Sequence, residues 1–184
     1  MHPDAPNWKE ELSRVERLGL KGVKLHPVYQ GVDFDDPRFL RILDRCGELG
    51  LVVLTHAGLD VGFPGKVHAS PEMILNALRQ VGPVKLILAH MGGWRNWDQV
   101  EQLLPHTPVY LDTSFSLGDM NPAPDGFYRP EELHMMGRSS SPAWLACSAR
   151  SASSSAPTAP GAARRRAWTA SAPCPCPRIP WTRS

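Results

Sequence analysis

The chain has 184 residues, 42% of them hydrophobic, which is enough for one domain with a buried core. No apolar run is long enough to cross a membrane and no signal peptide is read, so the expectation is a cytoplasmic chain with no membrane partner. The formal net charge of +2 hides a split: residues 1–138 hold 14 Lys and Arg and all 18 Asp and Glu, whereas residues 139–184 hold six Arg and no acid. Cys46 is alone in the first part, while Cys147, Cys174 and Cys176 fall in the second. This shift divides the chain at about residue 138.

Trp8, Leu12, Val15 and Leu18 recur at helical spacing and Gly19 follows as a stop, so 8–18 reads as a helix. Lys21–His26 is a first strand, ended by Pro27, and 27–35 reads as a loop. Asp36–Leu49 is a second helix, with Phe39, Leu40, Ile42, Leu43, Cys46 and Leu49 on its apolar face. Leu51–Thr55 is an apolar strand, suited to burial on both faces, and it runs into His56-Ala57-Gly58. After a Gly- and Pro-containing loop, Ser70 caps and Pro71 opens a helix over 70–81. Val84–Ala89 is a strand leading to His90, followed by a Gly92–Gly93 turn. Trp94–Leu104 is a helix, Val109–Leu111 a strand leading to Asp112, and Arg129–Met136 a further helical stretch.

Helix and strand alternate four times, with short turns into each strand and longer loops after it. That order implies a parallel sheet with right-handed crossovers. Polar residues just past every strand favour a (β/α)8 barrel over a doubly wound sheet, because a barrel draws its site from many strand ends at once. The fold class read from the sequence is therefore α/β, a partial (β/α)8 TIM-type barrel. Four units leave two sheet edges and an inner face uncovered, so a unit of residues 1–138 alone is expected to be poorly soluble or to oligomerise.

The segments GLKGVKLHP, LVVLTHAG, ASPEMILNAL, VKLILAHMGGW and VYLDTS, in this order, resemble the amidohydrolase superfamily, and within it the amidohydrolase-related branch of metal-dependent hydrolases and decarboxylases. The resemblance covers residues 1–136 and matches VKLHP, THAG, LAHMGG and YLDTS to strands 4 to 7 of the family barrel. It implies a divalent metal, commonly zinc, with His56 as the ligand after strand 5. His90 matches the histidine beside the metal-activated water, the catalytic position. Lys24, His26 and Asp112 are read as lining or supporting the pocket rather than as ligands. The family's His-x-His at strand 1 is absent, and the chain opens at about the end of the family's strand 3, so it reads as truncated at its N-terminus.

Residues 139–184 are rich in Ser, Ala, Pro and Arg and have no periodicity, as a disordered basic tail would. A permitted coding string for Arg150–Pro160, read one base back with a leading G, gives AERILFGTDSP, which is similar to the family's strand 8 with its aspartate. The reading is a shift of frame between Arg138 and Ser148, under which the tail cysteines and Arg164–Arg166 carry no designed role. The spacing of Cys174 and Cys176 is not that of a zinc or thioredoxin motif.

The function these residues imply is a metal-dependent hydrolase in which an activated water attacks an amide, ester or lactone carbonyl of a small-molecule substrate. The alternatives are a non-catalytic truncated remnant of such an enzyme and a family decarboxylase. A basic-tailed nucleic-acid binder is discounted, since the arginines come with no aromatic platform. The substrate, the oligomeric state and the activity of this chain stay open at this stage.

Overall fold

The structure is a computed structural model describing residues 1–117, 120, 127–133, 135 and 136. The segment 139–184 and His134 lie outside these residues. The elements are α1 (Trp8–Arg17), β1 (Gly22–Leu25), α2 (Pro27–Gln30), α3 (Pro37–Glu48), β2 (Val52–Thr55), α4 (Pro71–Gln80), β3 (Lys85–Leu88), α5 (Trp97–Leu103) and β4 (Val109–Leu111). The four strands form one parallel sheet in the order β1-β2-β3-β4. This is the α/β architecture read from the sequence, four consecutive units of a barrel-type sheet.

The helices form where the sequence supplies both a start signal and an apolar stripe. Asp36 caps α3 by accepting the Arg38 amide at 2.8 Å, and Pro37 follows it. Phe39, Ile42, Leu43 and Cys46 then line one face and are fully buried. Ser70 does the same for α4, its hydroxyl accepting the Met73 amide at 3.2 Å. Each fully buried aliphatic side chain contributes about 1.5–3 kcal/mol. The resulting core joins Leu12, Ile42, Leu43, Ile74, Ala77 and Val100 of the helices to Leu25, Val53, Leu86 and Leu88 of the strands.

Three local readings differ from the structure. Residues 27–30 are a short helix rather than loop. Pro27 supplies its first turn, Gly31 closes it in the left-handed conformation, and the Gln30 side chain accepts the His26 amide at 2.8 Å. Helix α5 begins at Trp97, not Trp94. The Trp94 backbone is taken by Ala57 and Leu59 through bonds of 3.1 and 3.0 Å, and Arg95 is left-handed at φ 61°. The stretch 129–136 holds only a 3-10 turn over Pro130–Leu133.

The fourth difference concerns β2, which is covered on one face only. Side chains alternate across the sheet. Val53 and Thr55 face the helices and are fully buried, while Val52 and Leu54 are half-buried. Register aligns Lys24, Leu54, Ile87 and Tyr110 on that second face, and among the described residues no layer covers it. The same register brings the C-terminal ends Leu25, Thr55, Leu88 and Leu111 level. The residues just beyond them therefore meet along one edge. Among the described residues no helix is long and apolar enough to cross a membrane.

Candidate active site

His26 and His56 extend the β1–β2 pairing by one step, the His56 amide donating to the Leu25 carbonyl at 3.2 Å. Their rings stack with centroids 4.5 Å apart at 15°. His90 follows β3 after Ala89, whose amide donates to the Thr55 carbonyl at 2.9 Å. His90 and Met91 both adopt left-handed backbone, at φ 58° and 53°. That conformation costs a side-chain-bearing residue about 1–2 kcal/mol, and it is held by two bonds. Met91 N–H donates to the Asp112 carbonyl at 2.7 Å, and the Trp97 indole donates to the His90 carbonyl at 3.0 Å. The turn thereby delivers the His90 ring to within 4.8 Å of His56.

The hydrogen bonds fix the ring tautomers. A backbone carbonyl only accepts, so the contact of His90 Nδ1 with the Ser114 carbonyl at 2.9 Å places the proton on Nδ1. His90 Nε2 is then the acceptor in its 3.1 Å contact with His56 Nδ1, which must carry a proton. His56 Nε2 is left with a bare lone pair; it is buried and has no partner among the described residues. His26 repeats the pattern. Its Nε2 faces Asp60 Oδ2 at 3.3 Å, and its Nδ1 is buried and unpartnered.

Asp60 completes the cluster. It is 8% exposed, and its Oδ1 accepts the Gly62 amide at 2.7 Å in a tight Asx turn. Its Oδ2 lies 3.8 Å from His56 Nδ1. One donor atom from each of His26, His56 and Asp60 lies within 4.8 Å of the others. Two imidazoles and a carboxylate match the three-ligand sets of catalytic zinc sites, which keep one position open. The nitrogens turned toward the Asp60 carboxylate are His26 Nε2 and His56 Nδ1, and a metal bound there would take the place of their protons.

Electrostatics keep the two rings neutral. Burial is the main cause lowering His56, to about 4, with His26 and His90 adding to it and Asp60 opposing. Burial likewise lowers His26, against the pull of Asp60. A neutral imidazole is the form that ligates.

The remaining sequence candidates sit around this group. Lys24 lies two residues before His26 on the same face of β1, its pKa lowered by burial and partly restored by Asp112. Burial pushes the Asp112 carboxyl up, but hydrogen bonds from Ser114 and the nearby Lys24 charge outweigh it and leave its pKa low. The structure thus brings His56 and His90 into direct contact, gathers His26 with His56, and leaves Lys24 and Asp112 at the border. Asp60 was passed over in the sequence. It sits in a Gly-rich loop, where its spacing from His56 carries no periodic signal.

Gly58 ties the loop to the site. At φ 83° it is left-handed, and a Cβ there would stand 2.3 Å from the Trp94 amide. Only glycine lets the loop after β2 pair with Trp94.

A search of curated proteins gives no match. Among solved structures, the IDCase of Metarhizium anisopliae in its apo form is similar at 21% identity and a TM-score of 0.41, covering 59% of this chain and 41% of that one. The chain therefore spans less than half the length of that relative. The sequence profile of the amidohydrolase family matches residues 2–166, nine-tenths of the chain, and with that match the chain belongs to the amidohydrolase family of metal-dependent hydrolases and decarboxylases.

Proposed function

We propose that the cluster at the C-terminal edge of the sheet is the metal centre of a metal-dependent hydrolase acting on the amide, ester or lactone carbonyl of a small molecule. The observation that supports it is the convergence of His26 Nε2 and His56 Nδ1 on the buried Asp60 carboxylate, 3.3 and 3.8 Å from its Oδ2. His26, His56 and Asp60 would hold the ion, with zinc the metal best suited to the donor set. When bound, a divalent metal supplies Lewis acidity, making a water acidic and polarising a carbonyl.

The other residues act on protons and position. His90, with Nδ1 pinned on the Ser114 carbonyl, presents Nε2 as an acceptor, the role a general base needs. His56 Nδ1 now donates to that same Nε2, so His90 is oriented before substrate arrives. Lys24 and Asp112 set the charge at the border of the pocket.

The test is calorimetric titration of the metal-freed chain with Zn2+, for wild type and for His26→Ala, His56→Ala and Asp60→Asn. One ion per chain, weakened by about 10–100-fold in each variant, is the expected result. Binding indifferent to all three substitutions would overturn the assignment. Turnover is followed as zinc-dependent release of 4-nitrophenolate from 4-nitrophenyl acetate. A decarboxylation at the same donors would instead release carbon dioxide.

A further inference from the structure

The loop after β2 and the turn after β3, together with the segment at 127–128, line an open recess of about 470 Å3. Its walls include Leu59, Pro64, Val67, Arg95, Asn96 and Tyr128. It is joined to the histidine cluster through the backbone. Leu59, next to Asp60, donates its amide to the Trp94 carbonyl at 3.0 Å, one residue before Arg95. The Tyr128 hydroxyl senses both ends: burial raises its pKa, the Arg95 charge lowers it, and Asp60 raises it again.

Two polar atoms of residues lining this pocket are buried and lack a hydrogen-bond partner among the described residues: Asn96 Oδ1 and the Tyr128 hydroxyl. Leaving a buried group unpaired costs about 1–3 kcal/mol. Two such groups around one apolar-walled recess are what a ligand site presents before its ligand arrives. Arg95 is exposed, lies 5.9 Å over the Trp94 ring, and makes no ion pair among the described residues. Phe127, at the same recess, is 61% exposed.

We propose that this pocket is the subsite for the non-reacting end of the substrate, and that it takes an apolar body ending in an anionic group. The apolar part lies against Leu59, Pro64 and Val67, and the charge against Arg95. The proposal rests on the histidine cluster being the reacting centre, to which the pocket is tied by Leu59 of its wall, the residue before Asp60.

The experiment uses two fluorinated probes of equal shape, 4-fluorobenzoate and neutral 4-fluorobenzamide, followed by 19F NMR with EDTA present so that no metal can hold the carboxylate. Arg95→Asn removes the charge with a residue that tolerates left-handed backbone, and Arg95→Lys restores a charge at the same place. The expected result is binding of 4-fluorobenzoate that weakens by about fivefold in Arg95→Asn and recovers in Arg95→Lys, with 4-fluorobenzamide changed by less than about twofold. Equal loss for both probes, no loss for either, or no binding of 4-fluorobenzoate to the wild type would overturn the proposal. His56→Ala separates this pocket from the metal reading. Arg95-dependent binding retained in that variant, whether or not the wild type takes up zinc, upholds the subsite on its own.

Discussion

On one face of the sheet, Leu25, Val53, Leu86 and Leu88 are sealed at 0% exposure beneath the helices; on the other, Tyr110 is 56% exposed and Leu54 and Ile87 are half-buried. The same strands make both faces, so the difference does not come from composition. The covered face is built locally: β1, β2 and β3 are each followed by a helix that folds back onto the sheet, within one βα unit. The other face needs partners from further strands of a barrel. A chain of βα units can therefore complete its outer core while its inner layer stays open, and the site forms at the edge where the two meet.

Substitutions on adjacent residues of β3 are the strongest way to break this comparison. Leu86→Ala, on the covered face, is expected to cost about 2–5 kcal/mol, with a cavity left among the helices. Ile87→Ala, one residue on and on the open face, is expected to cost about 1 kcal/mol or less. Urea unfolding of both variants reads the difference, and equal losses would mean the inner face is packed in solution. Next comes Gly58→Ala, expected to cost about 2–4 kcal/mol because it combines a left-handed backbone with overlap on the Trp94 amide. It should also raise hydrogen exchange at the Leu59 amide, which donates to Trp94.

Acid offers a gentler test at the site edge. The His56 pKa falls from an ordinary 6.5 to about 4 on folding, so between these values the unfolded chain binds more protons than the folded one. Stability is full above about pH 6.5 and is lost as pH falls towards 4. Melts of the metal-free chain across that window, compared with His56→Gln, isolate this contribution; an unchanged slope in the variant would remove it. The smallest effect is expected at a helix start away from the site. Ser70→Ala deletes the cap on the Met73 amide and should cost about 1 kcal/mol. For the segment beyond residue 138, resequencing the coding DNA checks the proposed change of frame: one base more or less between codons 138 and 148 is the expected finding.

Much of the fold was readable because its signals are local. Asp36 and Ser70 cap helices, the stripe Phe39–Ile42–Leu43–Cys46 has helical period, and the apolar runs before His56 and His90 stop at polar residues. Local signals also misled. Trp94 to Trp97 has helix-compatible spacing, yet the backbone of Trp94 is spent on pairing with Ala57 and Leu59 across the sheet edge. His26 looked like a pocket residue because its strand motif carries no metal pattern. Its stacking on His56 follows from the β1–β2 register, which no single segment contains. Asp60 was not readable, since its place beside the histidines is set by the path of its loop, which pairs Gly58 with Trp94 across the sheet edge.

By itself, then, the sequence determined the alternation of helices and strands, the outer core and the placing of histidines after strands, because each depends on residues within one turn or one strand of each other. The tertiary structure alone decided which nitrogen of each imidazole is left bare, and that a loop aspartate joins two histidines from different strands. It also decided which sheet face stays open. Those features depend on the level alignment of parallel strand ends, which exists only once β1, β2, β3 and β4 have paired.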